Sequence, residues 1–178
     1  MVSINDQYDN IQNYGQLNIP SNVTSIGEML LYNYTYTNKI TSIRFQSFNN
    51  IRSFGMGCFD MAHVTGFYFG NSTTPANHLD FRDQVIGDYA FAYMAKYQQT
   101  NNIITLNFTG NCQVGNGAFY QFDSNEGSST TCVSTIMIGN TGNTFGYGVF
   151  PTMMQGRPNL VIQLDSSCGY QKTTMGSG

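Results

Sequence analysis

One six-residue unit limits the fold of this chain more than any other feature. It reads hydrophobic–Gly–x–x–small–large apolar and occurs five times. The copies are Ile26-Gly27-Glu28-Met29-Leu30-Leu31, Phe54-Gly55-Met56-Gly57-Cys58-Phe59, Ile86-Gly87-Asp88-Tyr89-Ala90-Phe91, Val114-Gly115-Asn116-Gly117-Ala118-Phe119 and Phe145-Gly146-Tyr147-Gly148-Val149-Phe150. Successive starts differ by 28, 32, 28 and 31 residues. Gly fills the second slot every time, although only 19 of 178 residues are Gly, so the recurrence is not compositional. A fixed period of this size is the mark of a stacked repeat array.

A second unit alternates with the first. It reads apolar–x–x–apolar–x–apolar, and its last three positions follow the two-residue period of a strand. Its copies are Tyr14/Leu17/Ile19, Ile40/Ile43/Phe45, Val64/Phe67/Phe69, Ile103/Leu106/Phe108 and Val133/Ile136/Ile138, with a sixth, Asn159/Ile162/Leu164, that starts on a polar residue. The fold class expected is a β-rich repeat solenoid. Each repeat contributes one short parallel strand, turns through the Gly unit and returns, and stacking buries a continuous core. Gly in its slot suits a φ > 0 turn or a close backbone approach. The small and large apolar pair after it is expected on a short helical turn, with Phe or Leu plugging the core. Residues 1–13 form a lead-in, 14–165 the solenoid of about five and a half repeats, and 166–178 a tail. The third repeat is lengthened by an insert, residues 71–84, and by residues 92–102. The insert is read as a tolerated surface loop, with ligand contact as the alternative.

The segments Val23-Thr24-Ser25-Ile26-Gly27 and Ile86-Gly87-Asp88-Tyr89-Ala90-Phe91 carry a family likeness. They resemble the Val-Thr-Ser-Ile-Gly-x-x-Ala-Phe segment of the BspA-like (Treponema-type) leucine-rich repeat, and the likeness spans about residues 14–165. It implies a leucine-rich-repeat right-handed superhelix. It also implies that the exposed strand face, or the inserted loops, carries binding. Repeats two and five depart from the pattern in using Phe before Gly.

In such a strand the residues between the apolar positions point away from the core. Their central row is Asn18, Arg44, Tyr68, Asn107, Met137 and Gln163. The flanking row is Gln16, Ser42, Gly66, Thr105, Thr135 and Val161. Six stacked strands give a face about 24 Å long. The candidate ligand-binding residues are Arg44, Tyr68, Asn107, Met137 and Gln163 on this face. His78, Asp80 and Arg82 join them from the charge-dense insert. Amides, hydroxyls, a Tyr and a single Arg suit protein or glycan better than a charged ligand.

Charged residues make up 10% of the chain and the net charge is −3. Seven basic residues could not neutralise a phosphate backbone, so nucleic acid is not an expected partner. No apolar run of about 18 residues exists, so membrane insertion is not expected. Met1 to Asn10 show neither a charged nor an apolar signal region.

No catalytic set is legible. Cys58 takes the small slot that other repeats fill with Ala, which places it in the core rather than beside His63 as a nucleophile. No cofactor or metal is expected. The segment Asp123-Ser124-Asn125-Glu126-Gly127 lacks the spaced ligands and terminal Glu of a calcium loop. Cys112 and Cys168 hold equivalent positions two repeats apart. That is about 9–10 Å, too far for a disulfide. Four N-x-Ser/Thr sequons begin at Asn22, Asn33, Asn71 and Asn107.

The function expected is a non-enzymatic binding or adhesion module. It would present its sheet face and loops to a protein or glycan, outside the cell or at its surface. The alternative is a structural or assembly component of a viral particle or surface appendage, self-associating through uncapped ends.

Overall fold

The computed structural model describes residues 3–4, 15–32, 40–62, 64, 66–94, 103, 105–122, 133, 135–139, 142–150 and 161–164. Among the described residues thirteen strands follow in chain order: β1 (Ser3–Ile4), β2 (Gly15–Ile19), β3 (Ser25–Ile26), β4 (Ile40–Phe45), β5 (Ser53–Phe54), β6 (Gly66–Phe69), β7 (His78–Arg82), β8 (Val85–Ile86), β9 (Thr105–Thr109), β10 (Gln113–Val114), β11 (Thr135–Ile138), β12 (Thr144–Phe145) and β13 (Val161–Leu164). Every pairing is parallel. The chain is a β-solenoid, as the repeats predict, and it has about four turns rather than five and a half.

Each turn supplies two strands rather than the one expected. The second is a two-residue rung at the head of the Gly unit. These rungs form one ladder in the order β1-β3-β5-β8-β10-β12. The ladder takes in Ser3–Ile4, inside the segment read as a lead-in.

The short helical turns are also absent from the described Gly units. Among the described residues the only helix is a 3-10 turn at Phe48–Asn50. Chains of β-turns replace the helices. In residues 55–62 the N–H groups of Cys58, Asp60 and Ala62 donate to Gly55, Gly57 and Phe59 three residues back. The alternate groups, Gly57, Phe59 and Met61, donate to Asp88, Ala90 and Ala92 of the next turn at 2.9–3.0 Å. A helix would use all of these donors within one turn. Here half of them tie the turns together.

The Gly in the repeated slot serves close approach, not positive φ. A Cβ on Gly55, Gly87, Gly115 or Gly146 would lie 2.6–2.8 Å from backbone atoms of the preceding turn. Positive φ falls two residues later, at Met29, Gly57, Tyr89, Gly117 and Gly148.

The core is a column of Phe rings. Phe45, Phe81 and Phe108 come from the long strands, and Phe59, Phe91 and Phe119 are the plugs; all six are fully buried. Phe91 stacks on Phe119 at 5.2 Å and Phe81 on Phe108 at 5.3 Å. Gln84 and Asn143 are buried at the corners. Gln84 Nε2 donates to Ile51 O at 2.8 Å, and Asn143 Oδ1 accepts from Cys112 N–H at 2.9 Å.

The long strands do not form one six-stranded face. They form two sheets, β2-β4-β6 and β7-β9-β11-β13. The break falls at the insert, where two long strands follow one another without a ladder rung between them. The insert is therefore not a surface loop throughout. His78–Arg82 alternates exposed and buried, and Leu79 and Phe81 are fully buried. Phe81 stands five residues before Ile86, much as Phe108 stands six before Val114, so β7 is the rung that feeds the third Gly unit. β6 is the additional strand.

Candidate functional site

The split sheet divides the eight candidate residues into two groups. On the first sheet Asn18 pairs with Arg44 and Arg44 with Tyr68, as the central row predicts. Arg44 is occupied within the chain. Its Nε donates to Gln16 Oε1 at 2.8 Å. Its Nη1 donates to Gly70 O at 2.7 Å and Ser72 O at 2.8 Å. Its guanidinium lies 5.0 Å from the Tyr68 ring centre. A cation held this way fastens the turn after β6 and has little left for a ligand.

On the second sheet the central row reads Asp80, Asn107, Met137, Gln163. Tyr68 is not beside Asn107; Asp80 takes that place, because β7 rather than β6 pairs with β9. His78 continues the flanking row beside Thr105 and Thr135, and Arg82 pairs with Thr109. Five of the eight residues, Asp80, Arg82, Asn107, Met137 and Gln163, line one concavity of about 550 Å³. Thr109, Ile138, Gly139, Leu164 and Asn49 complete it. Asn49 comes from the 3-10 turn, and nothing in the repeat register points to it.

The chemistry of this concavity is mixed and close to neutral. Met137 is 41% exposed and gives an apolar patch. Gln163 offers an amide. Asp80 accepts from Asn107 Nδ2 and lies 3.4 Å from His78 Nε2. His78 Nδ1 also lies 2.8 Å from Asn77 Oδ1. Arg82 is three-quarters exposed, with Nε 3.9 Å from Asp83 Oδ2. Asn107 Oδ1 is buried and accepts no hydrogen bond from the described residues. Such an acceptor costs about 1–3 kcal/mol and calls for an explanation.

Cys58 is a core residue, fully buried, and burial pushes its thiol well above the usual range. Burial raises the Cys112 thiol too. Both are free. His63, Cys132, Cys168, Asn33 and the Asp123–Gly127 segment lie outside the described residues. Among the described residues no three His, Cys, Asp or Glu side chains gather to hold a metal. No described helix is long and apolar enough to cross a membrane. Of the sequons, Asn22 and Asn71 are exposed in turns, while Asn107 is half-buried in β9.

No family model, curated protein or solved structure matches this chain.

Proposed function

We infer that the protein is a non-enzymatic binding module that presents the β7-β9-β11-β13 face to a protein or glycan partner. One observation carries the reading: five of the eight residues named from the sequence line one concavity. An apolar patch ringed by amides, one carboxylate and one guanidinium matches a neutral polar surface. The likeness to BspA-like leucine-rich repeats supports an extracellular or cell-surface setting and a role in adhesion.

The test is binding of the purified chain to an array of immobilised glycans and cell-surface glycoproteins, beside a Met137→Asp variant. A ligand retained by the parent and weakened at least about tenfold by the variant supports the site. Ligands that bind both proteins equally refute it.

A second reading, an assembly component, is favoured by apolar exposure on β13. Ile162 is 45% exposed, although its register partner Ile136 is fully buried. Light scattering across a concentration series separates the readings. A monomer that binds ligand argues against assembly.

A further inference from the structure

We propose that the outer surface of the Gly-unit turns carries a second site, an aromatic cradle for a proline-rich segment in the polyproline II conformation. The turns of the third, fourth and fifth Gly units enclose a cavity of about 400 Å³ that shares no residue with the strand-face concavity. Four tyrosines line it, Tyr89, Tyr93, Tyr120 and Tyr147, with Asn116 and the open backbone at Gly117.

These rings occupy unusual positions. Tyr89 and Tyr93 hold φ of 55° and 52°, a region that bulky L residues rarely adopt. The second, fourth and fifth Gly units place Gly57, Gly117 and Gly148 where Tyr89 stands. Gly117 leaves room for the Tyr89 ring, since a Cβ there would meet Tyr89 Cε1 at 2.5 Å. Tyr93 and Tyr120 pack at 5.1 Å. Tyr147 is 90% exposed, the most open of the large hydrophobic side chains described. The frame beneath is braced. Asn116 Oδ1 accepts from Tyr147 N–H at 2.8 Å, and Asp88 Oδ1 accepts from Asn116 N–H at 2.7 Å.

Among the described residues the lining carries no charged side chain, so an anionic ligand finds no counter-charge there. Aromatic faces and phenolic donors suit a chain with CH-rich rings and unpaired carbonyls. A polyproline II segment has both, is already ordered, and is read in aromatic-lined grooves elsewhere. The Tyr89 ring leans over Gly117 of the next turn, so it and Tyr147 line the cavity from neighbouring turns.

The test is fluorescence polarisation of a labelled decaproline peptide titrated with the full chain, beside a Gly/Ser decapeptide. Saturable binding to decaproline alone is expected, with Kd of about 10–500 µM. Tyr147→Ala should weaken it about fivefold or more. Its side chain is solvent-exposed, so circular dichroism should show the variant folded. Tyr32→Ala, an exposed Tyr outside the cavity, should leave it unchanged. No saturation by about 1 mM overturns the proposal, as does binding insensitive to Tyr147→Ala. Tyr147-dependent capture of a neutral oligosaccharide in place of decaproline overturns the ligand class.

Discussion

Replacing Gly87 with Ala should destabilise the protein, although Gly→Ala usually stabilises where φ is ordinary. Gly87 is not in the positive-φ region, so Ala would gain about 0.4–1 kcal/mol from the unfolded chain alone. Its Cβ, however, would lie 2.7 Å from Met56 N, 2.8 Å from Gly55 C and 3.0 Å from Met56 Cα. All three are backbone atoms, which cannot swing aside. Relief to ordinary contact moves the two turns apart by about 0.5–0.7 Å. The flanking bonds, Gly87 N–H to Phe54 O at 2.8 Å and Gly57 N–H to Asp88 O at 2.9 Å, would then stretch to the edge of hydrogen-bonding distance. Overpacking costs about 1–3 kcal/mol and two weakened hydrogen bonds about 1 kcal/mol each. The net loss is about 2–4 kcal/mol, a large share of a typical domain's stability. Urea unfolding followed by far-UV circular dichroism measures it; the chain has 12 Tyr and no Trp, so fluorescence is the weaker probe. Gly148→Ala is the control. A Cβ there meets nothing within 4 Å and φ is 63°, so only about 1 kcal/mol of left-handed strain is expected. A Gly87→Ala protein as stable as the parent, or Gly148→Ala as the more damaging change, would refute the close-approach argument.

Three further outcomes follow from the same structure. Phe81→Ala should cost about 3–5 kcal/mol in the same unfolding assay, because Phe81 contacts Phe48, Phe91, Phe108 and Phe119 at 5.3–5.7 Å; a loss below about 0.5 kcal/mol would return the insert to the status of a loop. Arg44→Met should speed amide exchange at residues 70–74, read by hydrogen-exchange mass spectrometry, and unchanged exchange there would show that Arg44 does not fasten the turn. Burial raises the half-buried Asp60 carboxyl from 3.8 to about 6. A folded pKa above the unfolded one means the fold favours the protonated form, so this contribution is full below about pH 4 and lost as pH rises through about 6. After discounting for solvent screening it is about 1–2 kcal/mol, and Asp60→Asn should flatten that part of the stability–pH curve; identical curves for the two proteins would exclude the assignment.

Much of the fold was legible because Gly and the apolar slots repeat at fixed offsets. Leu17, Ile43, Leu106 and Ile136 are all buried where the strand period puts them. The β-turn chains were not legible, because a small–large apolar pair after Gly suits either a helix or a β-turn chain. The second Gly of Gly55-Met56-Gly57 and Gly115-Asn116-Gly117 was the unused signal, since it marks positive φ two residues on. The two-residue rungs were too short to show a period, although Ser3-Ile4 repeats Ser25-Ile26. In the insert, His78, Asp80 and Arg82 drew attention to charge and hid the apolar alternation of Leu79 and Phe81 between them. That one misassigned strand moved Tyr68 away from Asn107 and put Asp80 in its place. Asn49 was beyond reach, because only the packing of the 3-10 turn brings it to the concavity.

The placement of the binding face rests on a contrast between two sheets with similar rows. Affinity for a retained ligand, measured by biolayer interferometry on Met137→Asp and Arg44→Met proteins of confirmed fold, probes that contrast. Met137→Asp should weaken binding about tenfold or more, while Arg44→Met stays within about twofold of the parent. The reverse order, with Arg44→Met the damaging change, would move the site to the β2-β4-β6 sheet and overturn the assignment.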